Sequence, residues 1–231
     1  MDQMNREFLK LILLNIKTNL FDFFEWLKVI YRYYRNFSYC RADLHLLAIY
    51  FFDSPYRMNR KFLQERGEKE IHVYGETPLT TMELIANRAK IAAGEKCFEL
   101  GCGRGRTCFW LTAFRGCNVV GIDWTLEFIS RAEKARKRSK IDKLEFRCED
   151  LAESDFTGAD VIYIYGTTWS DELIEKLAGK FASLKRSARI ITVSYSLLDY
   201  SAPETFELID TFTAPFLWGD AEVFVQSPRG H

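Results

Sequence analysis

Between residues 96 and 123 the chain passes from an apolar strand into three glycines at alternate positions, and one strand later it ends in an acid. Lys96 to Leu100 reads as a buried strand, which breaks into Gly101-Cys102-Gly103-Arg104-Gly105. A helix-like stretch follows from Thr107 to Arg115, and then the strand-like run Asn118-Val119-Val120-Gly121-Ile122, closed by Asp123. Glycine has no Cβ, so the backbone can turn sharply and approach a ligand closely. An acid at the end of the second strand is placed to accept both hydroxyls of a ribose. A dinucleotide site needs G-x-G-x-x-G, whose third glycine lets helix pack on strand. Here that position is Arg106, and the third glycine falls one place early. The spacing therefore keeps the nucleoside acid but departs from the dinucleotide form.

The 231 residues suffice for one large domain, or for a domain with an extension. Apolar residues make up 48% and charged residues 28%, which is a globular composition. The formal net charge is zero, which disfavours a nucleic-acid partner for the chain as a whole. The six cysteines form no CxxC pair, and no histidine completes a zinc-like spacing. Reduced thiols in a cytoplasmic protein are expected, with no metal site. The start of the chain lacks a basic region and a small-residue cleavage site, so no signal peptide is expected. No stretch reaches 18 uncharged apolar residues, so no spanning helix is expected either.

The pattern changes near residue 72, dividing the chain into an N-terminal helical extension, 1–72, and a domain over 73–231. In the first part Asn15, Thr18, Asp22, Glu25, Arg32 and Asn36 trace a narrow polar stripe, and most of the remaining circumference is apolar. A helix so apolar has more than one face to bury. Continuous from residue 5 to 36 it would span about 48 Å, so it either breaks near Asn15–Asn19 or reaches beyond its own domain. Packing within the chain or as a homodimer through residues 5–37 is the preferred expectation, ahead of contact with a membrane surface. Further helices are expected at Asp43–Phe52, ended by Ser54-Pro55, and at Met58–Arg66. Another runs over 79–92, with Thr77 as its cap and Pro78 in its first turn. After the glycine turn come strand 118–122, helix 125–139, strands 144–148 and 160–165, helix 170–184 and strand 188–196. Two strand-like runs, Phe206–Phe212 and Ala221–Gln226, close the chain through Trp218-Gly219-Asp220. Alternating β and α argues for a parallel sheet covered on both faces.

The element Glu99-x-Gly101-x-Gly103-x-Gly105, followed by Asp123, resembles motif I of the class I S-adenosylmethionine (SAM) methyltransferases. The resemblance implies a Rossmann-like, doubly wound α/β sheet of seven strands with one antiparallel strand from a C-terminal hairpin. It implies SAM as cofactor. It also places Glu99 near the methionine end, where the family's acid orients the ammonium, and places Gly101, Cys102, Gly103 and Gly105 along the ligand. In the family an acid ending the third strand accepts from the adenine amino group, a role for which Asp150 fits better than Glu149. The backbone N–H of Leu151 then serves the ring. Two ordinary loop carboxylates remain the alternative at 149–150. Trp124 is open between a cofactor face and a core aromatic.

Tyr74-Gly75-Glu76-Thr77-Pro78, the motif I strand and Tyr165-Gly166 recur together in an order similar to the small protein-lysine methyltransferases of mitochondria and their bacterial relatives. That similarity covers residues 73–196 and implies that Tyr74 and Thr77 close over the methionine end, with Tyr165 lining the site. The stretch Ser196–Glu204, broken by Pro203, is too short for the helix the wider class carries there, so a loop or single turn is expected. No Asp/Asn-Pro-Pro-aromatic element follows Tyr165, which disfavours adenine-base methylation. Thr168 and Asp171 read as helix capping. The cations crowding Arg131 to Lys140 read as a solvated helix face. The expected activity is methyl transfer to a protein lysine amine or a small molecule, with no catalytic residue assigned. The alternative is a SAM-binding scaffold whose N-terminal helices contact a partner or membrane.

Overall fold

The computed structural model describes residues 3–67 and 74–230. Five parallel strands form first: β1 (Lys96–Leu100), β2 (Asn118–Asp123), β3 (Leu144–Cys148), β4 (Val161–Ile164) and β5 (Arg189–Val193). They join a hairpin of β6 (Phe206–Phe216) and β7 (Gly219–Pro228) in the order β3-β2-β1-β4-β5-β7-β6. β7 runs antiparallel to both β5 and β6. The expected seven-stranded sheet with its single inserted hairpin strand is thus the fold observed. The hairpin strands are longer than the sequence pattern indicates, and a register shift between Leu208 and Asp210 marks a bulge. Between Ser196 and Glu204 there is a single 3-10 turn, Leu197–Tyr200, as expected.

Alternation along β1 assigns the layers. Cys97 packs into a cluster with Cys108, Phe109, Trp110, Phe128 and Val119, whereas Phe98 and Leu100 pack with Ile164, Ile174, Leu177 and Phe181 on the other face. The first face carries α4 (Leu79–Arg88), α5 (Arg106–Trp110) with the π turn Leu111–Arg115, and α6 (Leu126–Ser139). The second carries α7 (Asp171–Phe181). Glu99 shares its row with Gly121 on one side and Tyr163 on the other, so its carboxylate points into the first face. The sheet reverses its winding at β1, and motif I opens from the C-terminal end of that strand, at the switch point where such sheets bind ligands.

Three helices precede the sheet: α1 (Gln3–Tyr33), α2 (Phe37–Tyr50) and α3 (Pro55–Glu65). Tyr33, Tyr39, Trp110 and Phe114 form an aromatic knot with ring centroids 5.1 to 6.3 Å apart, which seats α1 and α2 on α5. Helix starts differ from the sequence reading. Asn36 caps α2 by accepting from the Tyr39 N–H at 3.1 Å, six residues before the expected start. Ser54-Pro55, read as a terminator, instead opens α3, with the proline at a position that needs no N–H donor. Thr77 does not cap α4; the Thr80 N–H at its start goes to Glu25 of α1, 2.9 Å away. Ser170, rather than Thr168, caps α7 through the Leu173 N–H. The change of character placed at residue 72 falls within 68–73, outside the described residues.

α1 is continuous, the second of the two outcomes its length allowed. Glu25, Val29 and Tyr33 are buried against the domain, whereas Ile16, Leu20, Phe23, Phe24 and Trp26 are about half exposed. The large apolar side chains at 16, 20, 23, 24 and 26 are thus only partly covered by the rest of the described chain. The reason is length: α1's partner, α4, has 10 residues against 31 in α1, and supplies about 15 Å of surface. Among the described residues, no helix is long and apolar enough to cross a membrane.

Candidate cofactor and acceptor site

The glycines of motif I adopt left-handed backbone, at φ +72° for Gly101, +53° for Gly103 and +74° for Gly105. Their neighbours differ. A Cβ on Gly105 would lie 2.4 Å from the ring of Phe146, so this glycine serves packing against β3. A Cβ on Gly103 would meet Tyr74 at 3.0 Å, and one on Gly101 would meet Trp169 at 3.1 Å. These two glycines form the floor of a cleft lined by Tyr74, Glu76, Thr77, Glu99, Cys102, Arg104 and Tyr165, among others. Its void is ≈ 20 Å³ with the aromatic rings in these positions. A larger hollow of ≈ 330 Å³, between the Glu153–Gly158 loop and Lys180–Lys185, lies at the N-terminal edge of β4 and β5 and belongs to the opposite end of the sheet.

Asp123 ends β2 beside this floor. Its Oδ2 accepts from the Gly103 N–H and its Oδ1 from the Thr125 N–H, each at 2.8 Å. Burial nevertheless raises its pKa, outweighing those hydrogen bonds. Each carboxylate oxygen retains a lone pair for a further donor such as a ribose hydroxyl. Trp124 is not a core residue: it is 43% exposed, with the Arg66 guanidinium 3.8 Å over its ring and the edge of Phe62 beside it. Asp150 is exposed and closes a turn by accepting from the Ala152 N–H at 2.9 Å, while Leu151 is buried in the second apolar cluster. Gly105, Asp123, Trp124, Asp150 and Leu151 thus stand outside the cleft formed by the remaining expected positions.

The methionine side is built from charge. Glu99 is buried and accepts from Thr107 Oγ1 and, at 2.9 Å, from Cys108 Sγ. Among the described residues no cation pairs with it. Burial pushes its carboxyl up to about 7, against the opposing effect of the two hydrogen bonds. Glu76, by contrast, is fully engaged. Arg104 donates from Nη2 to Oε2 at 2.6 Å, and the Tyr74 hydroxyl donates to Oε1 at 2.6 Å. Thr77 Oγ1 lies 2.5 Å from the Tyr163 hydroxyl. Arg106, just beyond the motif, is held by Asp43 of α2 through contacts of 2.7 and 3.1 Å, and Tyr34 donates to the same carboxylate. Burial opposes the charge on Asp43, but Arg106 and these hydrogen bonds hold its pKa below the ordinary value. Sequence reading missed Glu76, Arg104, Thr107, Cys108 and Tyr163. Only Glu76, between Tyr74 and Thr77, and Arg104, between two motif glycines, carried a positional signal.

These residues fit the methionine and ribose ends of SAM. A buried carboxylate without a cation is costly, and an incoming ammonium would satisfy Glu99. Asp123 sits where a ribose diol would donate. The narrow void means that bound cofactor takes space now held by side chains over Gly101 and Gly103.

Residues 99–204 match the model of the ANTKMT methyltransferase domain. Over 83 residues the chain is 32% identical to 23S rRNA (uracil(1939)-C(5))-methyltransferase RlmD of Shewanella amazonensis, covering 36% of this chain and 18% of that protein. Over 158 residues it is 27% identical to pavine N-methyltransferase of Thalictrum flavum subsp. glaucum, covering 68% of this chain and 43% of that one. The chain thus spans less than half the length of these curated relatives. TrmN from Thermus thermophilus superposes with a TM-score of 0.56 at 18% identity, over 64% of this chain and 48% of that structure. Sheet order and motif I are thus those of the class I SAM-dependent methyltransferase fold, and residues 99–204, a little under half of the chain, match a methyltransferase domain of that class.

Proposed function

We propose that the protein methylates a lysine amine of another protein. The observation that carries this reading is the mouth of the cleft, where aromatic rings and carboxylates stand together. Tyr165 stacks on Phe216 at 5.2 Å and Phe216 on Trp218 at 6.0 Å, while Trp218 Nε1 donates to the Tyr165 hydroxyl at 2.6 Å. Tyr165 lines the cleft, and its ring lies over Gly75. Asp22 of α1 is close enough to Glu76 for that charge, after burial, to raise its pKa. The Asp22 carboxylate at the rim attracts an ammonium, and the rings near it accept a cation on their faces. Further in, the aromatic walls disfavour the charged form of the amine, so the acceptor loses its proton to solvent before attack. The match to the ANTKMT methyltransferase domain, named for a lysine methyltransferase, supports the same acceptor.

Bound SAM supplies a methyl group already activated on a sulfonium. The chain's task is alignment, and positioning alone supplies on the order of 7–11 kcal/mol. Tyr165 and Trp218 hold the acceptor's side chain, while Glu99 and Asp123 hold the donor's two ends. The nitrogen lone pair forms the new N–C bond as the C–S bond breaks, and the sulfur keeps that electron pair. Six free thiols support a reducing compartment such as the cytoplasm. The apolar overhang of α1 supports contact with a second copy of the chain ahead of a membrane surface, because Lys17, Asp22 and Lys28 interrupt its apolar circumference.

The test is methyl labelling of a protein extract with isotopic SAM, followed by mass spectrometry of the labelled peptides. Label is expected on lysine, with Trp218→Ala lowering kcat/KM about tenfold or more. Label confined to RNA or small metabolites would reject the lysine reading.

A further inference from the structure

Four side chains carry the charge of the cofactor cleft, and their balance is uneven. Glu99 is a carboxylate without a cation, while Glu76 and Arg104 satisfy each other. Arg104 reaches Glu76 with Nε 2.6 Å from Oε1, but its Nε–H is not directed at that oxygen and has no hydrogen-bond acceptor. The side chain is only 13% exposed and lies beside Tyr50, whose ring centroid is 5.8 Å from its Cζ. The ion pair is thus close in distance but poorly directed at Nε, so a carboxylate of better geometry can compete with Glu76 for this guanidinium. Arg106, the other cation of the cleft, is committed to Asp43 through two contacts.

The methionine end of the cofactor is a zwitterion, with one ammonium and one carboxylate on the same carbon. Glu99 offers the ammonium an acceptor. The carboxylate needs a donor nearby, and guanidinium presents parallel N–H groups that match a carboxylate fork. We infer that Arg104 is the residue that receives the methionine carboxylate. Glu76 is the stand-in ligand that keeps Arg104 aimed at the cleft until the cofactor arrives. Binding is then an exchange of carboxylates on one guanidinium, with Tyr74 as the second partner retaining Glu76. Arg104 is a binding residue and takes no part in bond making. The inference rests on the cleft being a SAM site.

Calorimetry with two ligands tests it. One is S-adenosylhomocysteine. The other is its decarboxylated analogue, 5′-deoxy-5′-(3-aminopropylthio)adenosine, which keeps the ammonium and the nucleoside but lacks the carboxylate. The wild type should prefer S-adenosylhomocysteine. In Arg104→Met that ligand should weaken about ten- to a hundredfold, the value of a charge-assisted pair, while the analogue binds as before, so the preference collapses. Arg104→Lys should recover part of it. Glu76→Gln, which removes the competing carboxylate, should tighten S-adenosylhomocysteine and leave the analogue unchanged. Equal weakening of both ligands in Arg104→Met would show a scaffold role and overturn the inference, as would no change in either. Should Arg104→Met fail to fold, an unchanged or reduced preference in Glu76→Gln overturns it. A wild type that binds neither ligand would instead reject the SAM site itself.

Discussion

Glu99→Gln should have two effects of opposite sign. In the protein without cofactor Glu99 is a buried carboxyl whose pKa stands at about 7 instead of 4.5. A raised pKa means that the folded state holds the proton more tightly than the unfolded chain. This contribution is fully present below pH 4.5 and is lost as pH rises through about 7. The full difference corresponds to about 3 kcal/mol, taking about 1.4 kcal/mol for each pH unit, and this is an upper bound. Glutamine keeps the shape and an acceptor for Thr107 without the charge. Urea unfolding of the cofactor-free variant should therefore show a gain of up to about 3 kcal/mol over wild type at pH 8, about 2 kcal/mol at pH 6, and close to none below pH 4.5. Binding should move the other way. With a free pKa near 7 the ionised fraction falls from about nine-tenths at pH 8 to about one-tenth at pH 6, so wild-type affinity for S-adenosylhomocysteine should drop about tenfold. Glu99→Gln should bind weakly at both pH values, with a flat profile. A cofactor-free variant less stable than wild type at pH 8 would refute the burial argument. A flat wild-type profile would remove Glu99 from the ammonium site.

Asp43→Asn leaves the Arg106 guanidinium without its buried partner and should cost about 3–5 kcal/mol of unfolding free energy, read by urea denaturation. Because the pKa of Asp43 is depressed in the folded state, the stability this pair contributes is present above the unfolded value near 3.8. It is lost as pH falls through the lower folded value, so acid melts of wild type and variant should converge there. Asp123→Ala should weaken S-adenosylhomocysteine by roughly 2–4 kcal/mol in calorimetry. It should also lower the melting temperature, since the N–H groups of Gly103 and Thr125 lose their acceptor.

What could be read from the chain is what local pattern carries. The strand–glycine–helix passage at 96–115, the acid at 123 and the helix-free hairpin after 206 all depend on residues close in sequence, and each sits in the sheet as expected. Errors arose where the deciding partner is distant. The Thr80 N–H is satisfied by Glu25, 55 residues away, so no reading of Thr77-Pro78 alone could assign that cap. Arg104 and Glu76 meet across 28 residues, and their pairing follows from the fold of two loops rather than from either motif. Ser54-Pro55 opens α3 although α2 already ends at Tyr50, because a Ser-Pro pair suits a helix start as well as the stretch after a helix end. The packing role of Gly105 is likewise hidden from the motif, because the ring pressed on it is Phe146, 41 residues later.

The carboxylate of Glu25 has a mechanical consequence. It bonds both the N–H and the hydroxyl of Thr80 at the first turn of α4. The chain immediately before that turn carries Thr77, a wall residue of the cleft whose hydroxyl rests against that of Tyr163 behind it. From Gln3 to Glu25, α1 extends about 33 Å. It is an arm whose fulcrum is the rim of the pocket. A load on the far end of α1 is passed through the Glu25 carboxylate, alongside the Arg32 and Tyr33 contacts with Glu83, to the segment that carries Tyr74, Glu76 and Thr77. The transmission is reversible, because filling the pocket stiffens the seat of the arm and thereby narrows the orientations open to α1.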